Sequence, residues 1–341
     1  MAKVTLQSIA DRVGVSRMTV SNAFSRPDQL SADLRARILT AADELGYVGP
    51  DPAARALARG RTGSVGLLIN GSVSEAVEDA VSAEFLASVA DALAGEGLAL
   101  TLLAQASDDR FVAARDVAVD GALVYICEPD STDVAWLQRR GVPVVAVDHN
   151  LTEGVPSVNV DDRGGARTAA QHLLDLGHRS IGILTLLVAS AADGTSPVNY
   201  PARERLLGWH DALDPAGVEP VVALTPYQPH DAAFDAALDL LDRPDRPTAL
   251  ACFSDAFAIA AIRAAESLGL AVPGDVSIVG FDDSPLAASV RPPLTTIRQE
   301  ITQKGRAAVA AIVGVMAGAP QEPVLLPTEL VVRESTAPPR G

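Results

Sequence analysis

The sequence predicts an α/β protein in which a small helical domain precedes a two-lobed core of parallel sheets. The first 48 residues carry three short helical patterns, whereas from Ser64 onward apolar strand-like runs alternate with amphipathic helical patterns. Such alternation is typical of parallel sheets with helices on both faces. A chain of 341 residues also exceeds the usual size of one domain, which favours two or three domains.

The N-terminal patterns predict a helix-turn-helix. Thr5 suits the N-cap of a first helix, and Gly14 ends that helix where a left-handed residue costs least. After a short turn Ser16 caps a second helix, and Ser31 begins a third helix that reaches Gly46. Two helices joined by so short a turn, with a third beside them, describe this motif.

The second helix is predicted to carry an outer polar face that its own core does not need. The face comprises Arg17, Met18, Ser21, Asn22 and Ser25. In the major groove of DNA, arginine pairs with guanine, asparagine pairs with adenine and methionine contacts the thymine methyl group. Thr5 and Ser16, at helix N-termini, are placed for phosphate contacts. A solvated polar face with two ordinary helix caps explains the same residues and stays open as the alternative.

Acidic and basic residues are unevenly distributed along the chain. Residues 1–61 hold nine Lys and Arg and six Asp and Glu, so their net charge is +3. Residues 62–341 hold 18 Lys and Arg and 37 Asp and Glu, so their net charge is −19. The net charge of the whole chain is −16. This asymmetry favours a polyanion such as double-stranded DNA as a partner of the N-terminal segment.

Two successive series of strands are predicted in the core. The first consists of VGLLI, LALTLLA, GALVYI and PVVAVD, and the second begins after Asp162 with SIGILTL, VVAL, TALACFS and VSIVGF. In open parallel sheets ligands bind at the carboxyl ends of the strands, and between two lobes these ends meet at one cleft. The polar side chains expected at those ends are Tyr125, Asp148, Ser254, Asp255, Asp282 and Asp283.

Other residue patterns favour neither metal nor cofactor chemistry. Cys127 and Cys252 each lie in an apolar segment and are expected to be buried free thiols. His172 and His178 lack a partner at metal-binding spacing, so structural roles are expected. Neither a nucleophile elbow nor a glycine-rich phosphate loop is evident. We therefore expect no enzyme activity and no cofactor.

The sequence predicts no membrane segment. The N-terminus MAKVTLQSIADR has no long apolar segment after its lysine, so it does not resemble a secretory signal. The densest apolar run, IGILTLLVASAA from Ile181, is about half the ~20 residues that a membrane helix requires. A cytoplasmic location is expected.

Motifs along the whole chain resemble those of the LacI/GalR family of transcription regulators. They are VTLQSIADRVGVSRMTVSNAFS, ELGYVGPDPAARALARG, VDGALV, VNVDDRGGA, HLLDLGHRSIGIL, VSIVGFDDSP and PPLTTIRQ. The resemblance implies a helix-turn-helix head at 1–48, a hinge helix with its linker at 49–61, and a periplasmic-binding-protein-like core of parallel sheets at 62–341. It implies a first lobe at about 62–160 and 290–320 and a second at about 161–289 and 321–336.

The resemblance also implies a function. Regulators of this family act as dimers on near-palindromic operators, so the chain is expected to be a ligand-responsive repressor. The C-terminal segment RESTAPPRG carries no heptads, which favours a homodimer over a tetramer. The family's effector contacts are carried over to Tyr125, Asp148, Arg205, Ser254 and Asp282.

These residue types suit a sugar or a nucleoside as the effector. Carboxylates accept hydrogen bonds from neighbouring hydroxyl groups, and the guanidinium of Arg205 offers a planar fork of donors. Alternatively, Asp148 and Asp282 cap loops and Arg205 pairs with one of them. Many sugar-responsive members of the family have Asn where Ser254 and Tyr125 stand, which points to an unusual effector.

Physical reasoning supports the hinge helix. Asp51 can cap it and Gly60 can end it, but a helix this short is marginal alone in water. Leu57 lies among arginines that include Arg55, an arrangement suited to wedging an apolar side chain into the minor groove. The alternative is an alanine-rich linker whose Leu57 packs onto a neighbouring core.

Two other classes of function stay open at this point. A secreted solute-binding protein explains the core, but it needs a signal peptide and has no use for the head. An enzyme acting in the cleft needs a nucleophile or an acid–base pair, and neither is found in the sequence.

Overall fold

The structure is a computed structural model that describes residues 4–49, 51–69, 71–104, 110–126, 131–149, 154–186, 199–226 and 231–340. The chain divides into two compact units, Met1–Gly63 and Ser64–Gly341. No helix within the described ranges is both long enough and apolar enough to cross a membrane. Cys252 is a buried free thiol, as predicted, whereas Cys127 lies outside the described residues.

The N-terminal unit contains the three predicted helices and the predicted hinge helix. They are α1 (Leu6–Val13), α2 (Arg17–Ser25), α3 (Ala32–Glu44) and α4 (Pro52–Arg59). At each predicted N-cap a side chain accepts a hydrogen bond from a first-turn N–H, which confirms Thr5, Ser16, Ser31 and Asp51. Gly14 and Gly60 end α1 and α4 in the left-handed region, with φ of 78° and 67°.

The helices α1, α2 and α3 share a small apolar core. Its buried members are Ile9, Ala10, Val20, Ala23, Ile38, Ala41 and Ala42. By contrast, none of the described side chains of α4 is buried. Because a helix of eight residues gains little from its own hydrogen bonds, α4 needs a partner surface to be stable.

The core consists of strands and helices in alternation, as predicted. The strands are β1 (Ser64–Ile69), β2 (Ala99–Ala104), β3 (Gly121–Tyr125), β4 (Val144–Val147), β5 (Ser157–Val160), β6 (Ile181–Leu186), β7 (Val221–Thr225), β8 (Ala249–Cys252), β9 (Ser277–Asp282), β10 (Thr295–Gln299), β11 (Val324–Leu326) and β12 (Thr328–Val331). The helices are α5 (Val73–Glu78), α6 (Ala80–Gly95), α7 (Ala113–Asp116), α8 (Thr132–Arg139), α9 (Asp162–Asp175), α10 (Tyr200–Leu213), α11 (Asp231–Leu241), α12 (Asp255–Ser267), α13 (Pro285–Ser289) and α14 (Ile301–Met316).

Two sheets of six described strands each define two lobes. The first sheet has the order β11-β5-β4-β3-β1-β2, and all its pairs are parallel. The second has the order β12-β10-β9-β8-β6-β7, in which only the edge strand β12 is antiparallel to its neighbour. We call the first sheet with α5–α8 and α14 lobe 1, and the second sheet with α9–α13 lobe 2.

Helices cover both faces of each sheet. In β1, Val65, Leu67 and Ile69 face α6 and α14, while Leu68 packs with α7 and α8. In β6, Leu184 and Leu186 pack with α11 and α12, whereas residues at the alternate positions pack with α9 and α10. The near-continuous apolar strands of the sequence are therefore strands buried on both faces.

The observed sheets correct the predicted lobe boundaries near the C-terminus. Residues 290–320 are predicted in lobe 1, but β10, at 295–299, pairs with β9 in lobe 2. Residues 321–336 are predicted in lobe 2, but β11, at 324–326, pairs with β5 in lobe 1. A short local pattern can predict a strand, but its partner strand is chosen by long-range packing that the local pattern does not contain.

Within the described residues the chain passes between the lobes at three places. These passages lie between β5 and α9, between β10 and α14, and between β11 and β12. The first and third are joined, because the Asp161 N–H donates to the Leu326 carbonyl at 2.8 Å and the Thr328 hydroxyl donates to the Asp161 carbonyl at 3.2 Å. Neighbouring passages of this kind suit a rotation of one lobe against the other.

Candidate functional site

The helix α2 presents the predicted DNA-reading residues on two successive turns. Arg17 and Met18 are its first two residues and are exposed, with 69% of the Met18 surface accessible. Ser21 and Asn22 lie one turn later and are half-buried. An exposed first turn with a half-buried second turn suits a helix that enters a groove by its N-terminal end.

Several polar groups of this face are already hydrogen-bonded within the head. The Asn22 side chain donates to the Gln29 side chain at 3.2 Å, so base reading by Asn22 requires this bond to be shared or broken. The Ser25 hydroxyl donates back to the Ser21 carbonyl at 2.8 Å and is thereby drawn off the outer face. The hydroxyls of Thr5 and Ser16 accept hydrogen bonds from first-turn N–H groups, as the alternative of ordinary helix caps also predicts.

The hinge helix α4 presents Leu57 to solvent. This side chain is 87% exposed, so it does not pack into the core of its own unit. The arginines of the segment are exposed as well; they are Arg55, Arg59 and Arg61. An apolar side chain framed by cations, on a helix whose described side chains are all unburied, has the chemistry of a minor-groove wedge.

The predicted effector residues lie at the carboxyl ends of strands in both lobes. In lobe 1, Tyr125 ends β3 and Asp148 directly follows β4. In lobe 2, Ser254 is the second residue after β8 and Asp282 ends β9. All four are at least nine-tenths buried. Asp148 and Asp282 have φ of 51° and 117°, a region that non-glycine residues seldom occupy and that clusters at ligand sites.

Arg205 on α10 is the centre of the lobe 2 side of the site. Its Nε donates to Asp162 Oδ1 at 2.8 Å, and its Nη1 donates to the Phe253 carbonyl at 2.5 Å and lies 3.5 Å from Asp282 Oδ1. The faces of the guanidinium lie 4.7 Å and 3.6 Å from the ring centroids of Phe253 and Phe281. The contact of Arg205 with Asp282 agrees with the alternative in which Arg205 pairs with one of the carboxylates. The ion pairs with Asp162 and Asp282 and the two aromatic rings hold the guanidinium in place.

A chain of hydrogen bonds continues from Asp282 into lobe 1. The Gln299 amide donates to Asp282 Oδ1 at 2.7 Å, and its carbonyl oxygen accepts from Lys304 Nζ at 3.1 Å. Lys304 Nζ also donates to Asp148 Oδ2 at 2.5 Å. Because Gln299 ends β10 and Lys304 lies on α14, this chain crosses the passage between the lobes.

Three members of this cluster, Asp162, Gln299 and Lys304, were missed by the sequence reasoning. Signals for each were present: Asp162 and Gln299 lie in the quoted motifs VNVDDRGGA and PPLTTIRQ. Lys304 is one of only two lysines in the chain, and it falls on the apolar face of its helix next to Gly305. A lone lysine at a buried helical position is a strong indication of a buried carboxylate partner.

Ser254 and Tyr125 have structural contacts of their own. The Ser254 hydroxyl caps α12 by accepting from the Phe257 N–H at 3.3 Å. The Tyr125 hydroxyl lies 3.4 Å from the Ser82 hydroxyl, and its ring stacks on Phe85 with centroids 4.5 Å apart. Part of the polar capacity of both residues is therefore used by the fold.

Burial dominates the electrostatics of the acidic groups. Burial raises the pKa of Asp162 and of Asp282 above the usual range, although the charge of Arg205 opposes the rise in both. Burial likewise raises the pKa of Asp255 to about 6, against hydrogen bonds from Thr296 and Ser284. Perturbed carboxyl groups that lie close together are found at functional sites and in structural ion-pair networks alike.

Two carboxylate oxygens in the cluster have no hydrogen-bond partner among the described residues. They are Asp148 Oδ1 and Asp162 Oδ2, and both are buried. The Thr185 hydroxyl near the end of β6 is buried and unpartnered in the same way. Buried acceptors without partners are rare in folded proteins, so these three atoms call for an explanation.

The described residues contain no cluster of His, Cys, Asp and Glu that could hold a metal ion. His178 lies 2.8 Å from the Thr248 hydroxyl and 2.9 Å from the Ala337 carbonyl, and His172 lies 3.0 Å from the Thr336 hydroxyl. Both histidines therefore tie the C-terminal segment to lobe 2, in the structural role that was predicted.

Comparison with known proteins identifies the family. Residues 5–49 match the lacI family of bacterial regulatory proteins, and residues 170–336 match the periplasmic binding protein-like domain. The HTH-type transcriptional regulator Rv3575c of Mycobacterium tuberculosis is 38% identical over 355 aligned residues, which cover 99% of this chain and 98% of that protein. The chain belongs to the lacI family. Its relatives are transcriptional regulators, so this lacI-family chain is a regulator and not an enzyme.

Solved structures of lacI-type regulators have the same architecture. The transcriptional regulator CelR–cellobiose complex has a TM-score of 0.71 and 30% identity, over 98% of this chain and 100% of that one. The lac repressor dimer bound to operator and the anti-inducer ONPF has a TM-score of 0.83 and 26% identity, over 98% and 99%. The predicted fold class, a helix-turn-helix head with a periplasmic-binding-protein-like core, is confirmed.

Proposed function

We propose that this lacI-family regulator is a homodimeric repressor whose operator affinity is set by a sugar or nucleoside bound between its lobes. The observation that carries this proposal is the hydrogen-bonded chain from Arg205 to Asp148 across the passage between the lobes. A ligand that contacts both ends of this chain has different contacts in open and closed arrangements of the lobes. Such a difference is what allows a ligand to shift a conformational equilibrium.

The related structures support both halves of the proposal. The CelR structure is a complex with cellobiose, and the lac repressor structure is a dimer bound to its operator. The unpartnered oxygens of Asp148 and Asp162 supply acceptors for the hydroxyl groups of such a ligand. A regulator that binds chromosomal DNA acts in the cytoplasm.

On the DNA side, we assign base reading to the exposed face of α2. Arg17 and Asn22 read bases in the major groove, Met18 contacts a thymine methyl group and Ser21 lies beside them. Thr5 and Ser16 contact phosphates in addition to capping their helices. The near-palindromic operator follows from the twofold symmetry of a dimer.

The hinge helix couples the two sites. Two copies of α4 from a dimer pair in the minor groove, where each Leu57 wedges into a base step and Arg55 approaches the phosphates. Ligand binding changes the spacing of the two core attachment points near Ser64. The paired arrangement of the hinges then becomes unfavourable and operator affinity falls.

Calorimetric titration with sugars and nucleosides tests the effector half. We expect a ligand to bind the intact protein and the Arg205→Ala, Asp282→Ala double variant to lose at least tenfold in affinity, because two of its polar partners are removed. The matched control is the Arg163→Ala, Asp211→Ala double variant, which removes an ion pair of the lobe 2 surface. Retained affinity in the Arg205, Asp282 variant moves the site elsewhere.

A further inference from the structure

A second cavity lies in lobe 2, at the edge of the sheet where the parallel strands begin. Its volume is about 240 Å³, and its walls are His178 and residues of the segments 244–248, 273–275 and 339–340. The first three belong to the loops that precede β6, β8 and β9, and the last belongs to the C-terminal segment. We call this space the amino-end cavity.

The amino-end cavity is separate from the proposed effector site. Thr248 directly precedes β8, whereas Ser254 is the second residue after it. Asp275 lies two residues before β9, whereas Asp282 ends this strand of six residues. Six residues of strand span about 20 Å, so a small ligand in the amino-end cavity does not reach Asp282.

Prolines make the apolar part of the cavity wall. They are Pro244, Pro247, Pro273 and Pro339. Because the proline ring fixes φ and leaves little side-chain freedom, these walls keep their shape without a ligand. The C-terminal wall is held as well, since the Ala337 N–H donates to the Ser277 hydroxyl at 3.0 Å. A preformed wall lowers the entropy lost when a ligand binds.

Two of the polar side chains that line the cavity are fully engaged by the protein. The ring nitrogens of His178 lie 2.8 Å from a threonine hydroxyl and 2.9 Å from a backbone carbonyl, and burial lowers the pKa of this histidine, which favours its neutral form. Asp275 Oδ1 accepts from Arg340 Nη1 at 2.6 Å, and its Oδ2 accepts from the Ala271 N–H at 2.8 Å. Neither His178 nor Asp275 therefore offers a free hydrogen-bonding group to a ligand.

Arg246 differs from these side chains. It lines the cavity and is half-buried, but its guanidinium has neither a hydrogen bond nor an ion pair with any residue that the structure describes. The neighbouring Asp245 is not its counter-ion, because both oxygens of Asp245 accept from Arg243, at 3.1 Å and 3.0 Å. A half-buried guanidinium with unused N–H donors favours an oxyanion, which can accept from two of them at once.

The charges around the cavity point to the same kind of ligand. Its lining residues include two arginines, Arg246 and Arg340, but only one aspartate, Asp275. With His178 neutral, the lining carries a net charge of +1, although residues 62–341 together carry −19. A local positive charge inside an acidic core attracts a small anion.

We propose that the amino-end cavity is a second ligand site of this protein, for a small organic anion. The ligand is a carboxylate or a phosphate monoester with an apolar body. Arg246 binds the oxyanion through its planar fork, and the prolines pack against the apolar body. A cavity of this volume has room for roughly eight water molecules, and therefore for a molecule of the size of benzoate.

Calorimetry on the full-length protein, in a buffer free of phosphate and carboxylates, tests the proposal. The probes are benzoate, phenyl phosphate and the neutral benzyl alcohol. We expect at least one of the two anions to bind with a Kd of about 1 mM or tighter, and benzyl alcohol to bind at least tenfold more weakly. The tighter anion shows whether the site takes a carboxylate or a phosphate ester. The proposal is wrong if neither anion binds, or if benzyl alcohol binds as tightly as the anions.

The Arg246→Gln variant locates the bound anion. It removes the charge and the fork but keeps a polar side chain, and we expect the anion to bind at least tenfold more weakly. The matched control is Arg243→Gln, which removes an arginine of the same loop that pairs with Asp245 and does not line the cavity. This control should bind the anion as the wild type does. Wild-type affinity in Arg246→Gln places the anion elsewhere and overturns the proposal.

The Arg205→Ala, Asp282→Ala double variant separates the two sites. Thermal unfolding verifies that each variant is folded before it is titrated. We expect this double variant to bind the anion with wild-type affinity, and a loss of affinity places the anion at the strand ends between the lobes, against the proposal. Conversely, Arg246→Gln should leave the binding of a sugar or nucleoside unchanged. Failure of this proposal therefore leaves the proposed effector function untouched.

Discussion

At the scale of single residues, several polar groups to which we assign recognition are already hydrogen-bonded within the fold. Asn22 already donates to Gln29, Ser16 caps α2, and Arg205 is bound by two carboxyl groups. Such groups are held in place before a ligand arrives, which lowers the entropy lost on binding. The next two predictions separate the folding role of a residue from its proposed recognition role, and a third concerns a buried carboxyl group.

Replacing Arg17 or Asn22 by Ala is expected to relax base preference at particular operator positions. A well-placed bidentate contact discriminates against the wrong base by about 1 to 3 kcal/mol, so the affinities for matched and mismatched operators should converge by that amount. Binding to a panel of single-base operator variants measures this, with Arg12→Ala as the control for an exposed arginine of α1 paired with Glu44. If both variants weaken binding equally on every sequence, the residues contact phosphates and not bases.

Replacing Ser16 by Asp separates capping from phosphate contact. Aspartate is as good an N-cap as serine, so the thermal stability of the head should not change. Its negative charge faces a phosphate if Ser16 contacts one, and operator affinity should then fall at least tenfold. Ser31→Asp, at the cap of α3, is the matched control and should leave affinity unchanged. Full affinity in Ser16→Asp means that the hydroxyl serves only as a cap.

Asp255 makes stability depend on pH. Burial raises its pKa to about 6, above the value of about 3.9 in an unfolded chain. Because the folded pKa is the higher one, the stabilising contribution is complete below about pH 4 and is lost as pH rises through 6. We expect the free energy of unfolding of the wild type, minus that of Asp255→Asn, to fall by about 1 to 3 kcal/mol between pH 4 and pH 7. Urea unfolding at several pH values measures it, and a constant difference contradicts the assignment.

At the scale of elements, α4 stands apart among the helices α1–α14. None of its described side chains is buried, whereas each of the other helices buries at least one. Its caps at Asp51 and Gly60 make it a competent helix, but only a partner surface can stabilise eight residues. The element is therefore suited to form when DNA is present. This is the property that a coupling segment between head and core requires.

Replacing Leu57 by Ala should weaken operator binding at least tenfold, about 1.4 kcal/mol, and reduce the DNA bend. The physical reason is that alanine cannot hold open an unstacked base step. Dimerisation and effector affinity should stay unchanged, since neither is assigned to this side chain. Gel-shift bending assays and sedimentation measure these quantities, with Val48→Ala as a control at an equally exposed apolar position. If affinity and bend survive the substitution, α4 is only a tether.

At the scale of the whole molecule, the head and the core differ in net charge. The first 61 residues carry a net +3, and the remaining ones carry −19. The net negative charge of the core disfavours its association with DNA, whereas the net positive charge of the head favours it. In the proposed function, the effector acts on operator affinity through the geometry of the lobes.

The proposed coupling between effector binding and operator binding should be measurable in either order of addition. We expect a saturating effector to change operator affinity by at least fivefold, and operator to change effector affinity by the same factor, as linkage requires. Operator titrations with and without effector give the factor, and effector titrations of the DNA complex verify it. In Leu57→Ala, the factor by which effector changes operator affinity should approach one. If this variant keeps the wild-type factor, the signal travels by another route.

The sequence by itself determined the local features of this protein. The caps at Thr5, Ser16 and Asp51, and the strand ends that carry Asp148 and Asp282, could be predicted because they depend on residues within one or two turns of each other. The family motifs extended this local reading to the whole fold.

Only the tertiary structure decided which distant residues meet. It paired β10 with lobe 2 and β11 with lobe 1, against the predicted boundaries. It also brought Lys304 to Asp148, which lies 156 positions earlier in the chain. The helical pattern around Lys304 shows that the position is buried but not which carboxylate satisfies the charge. That choice depends on how two sheets and the passages between them are arranged in space, which no local pattern of residues contains.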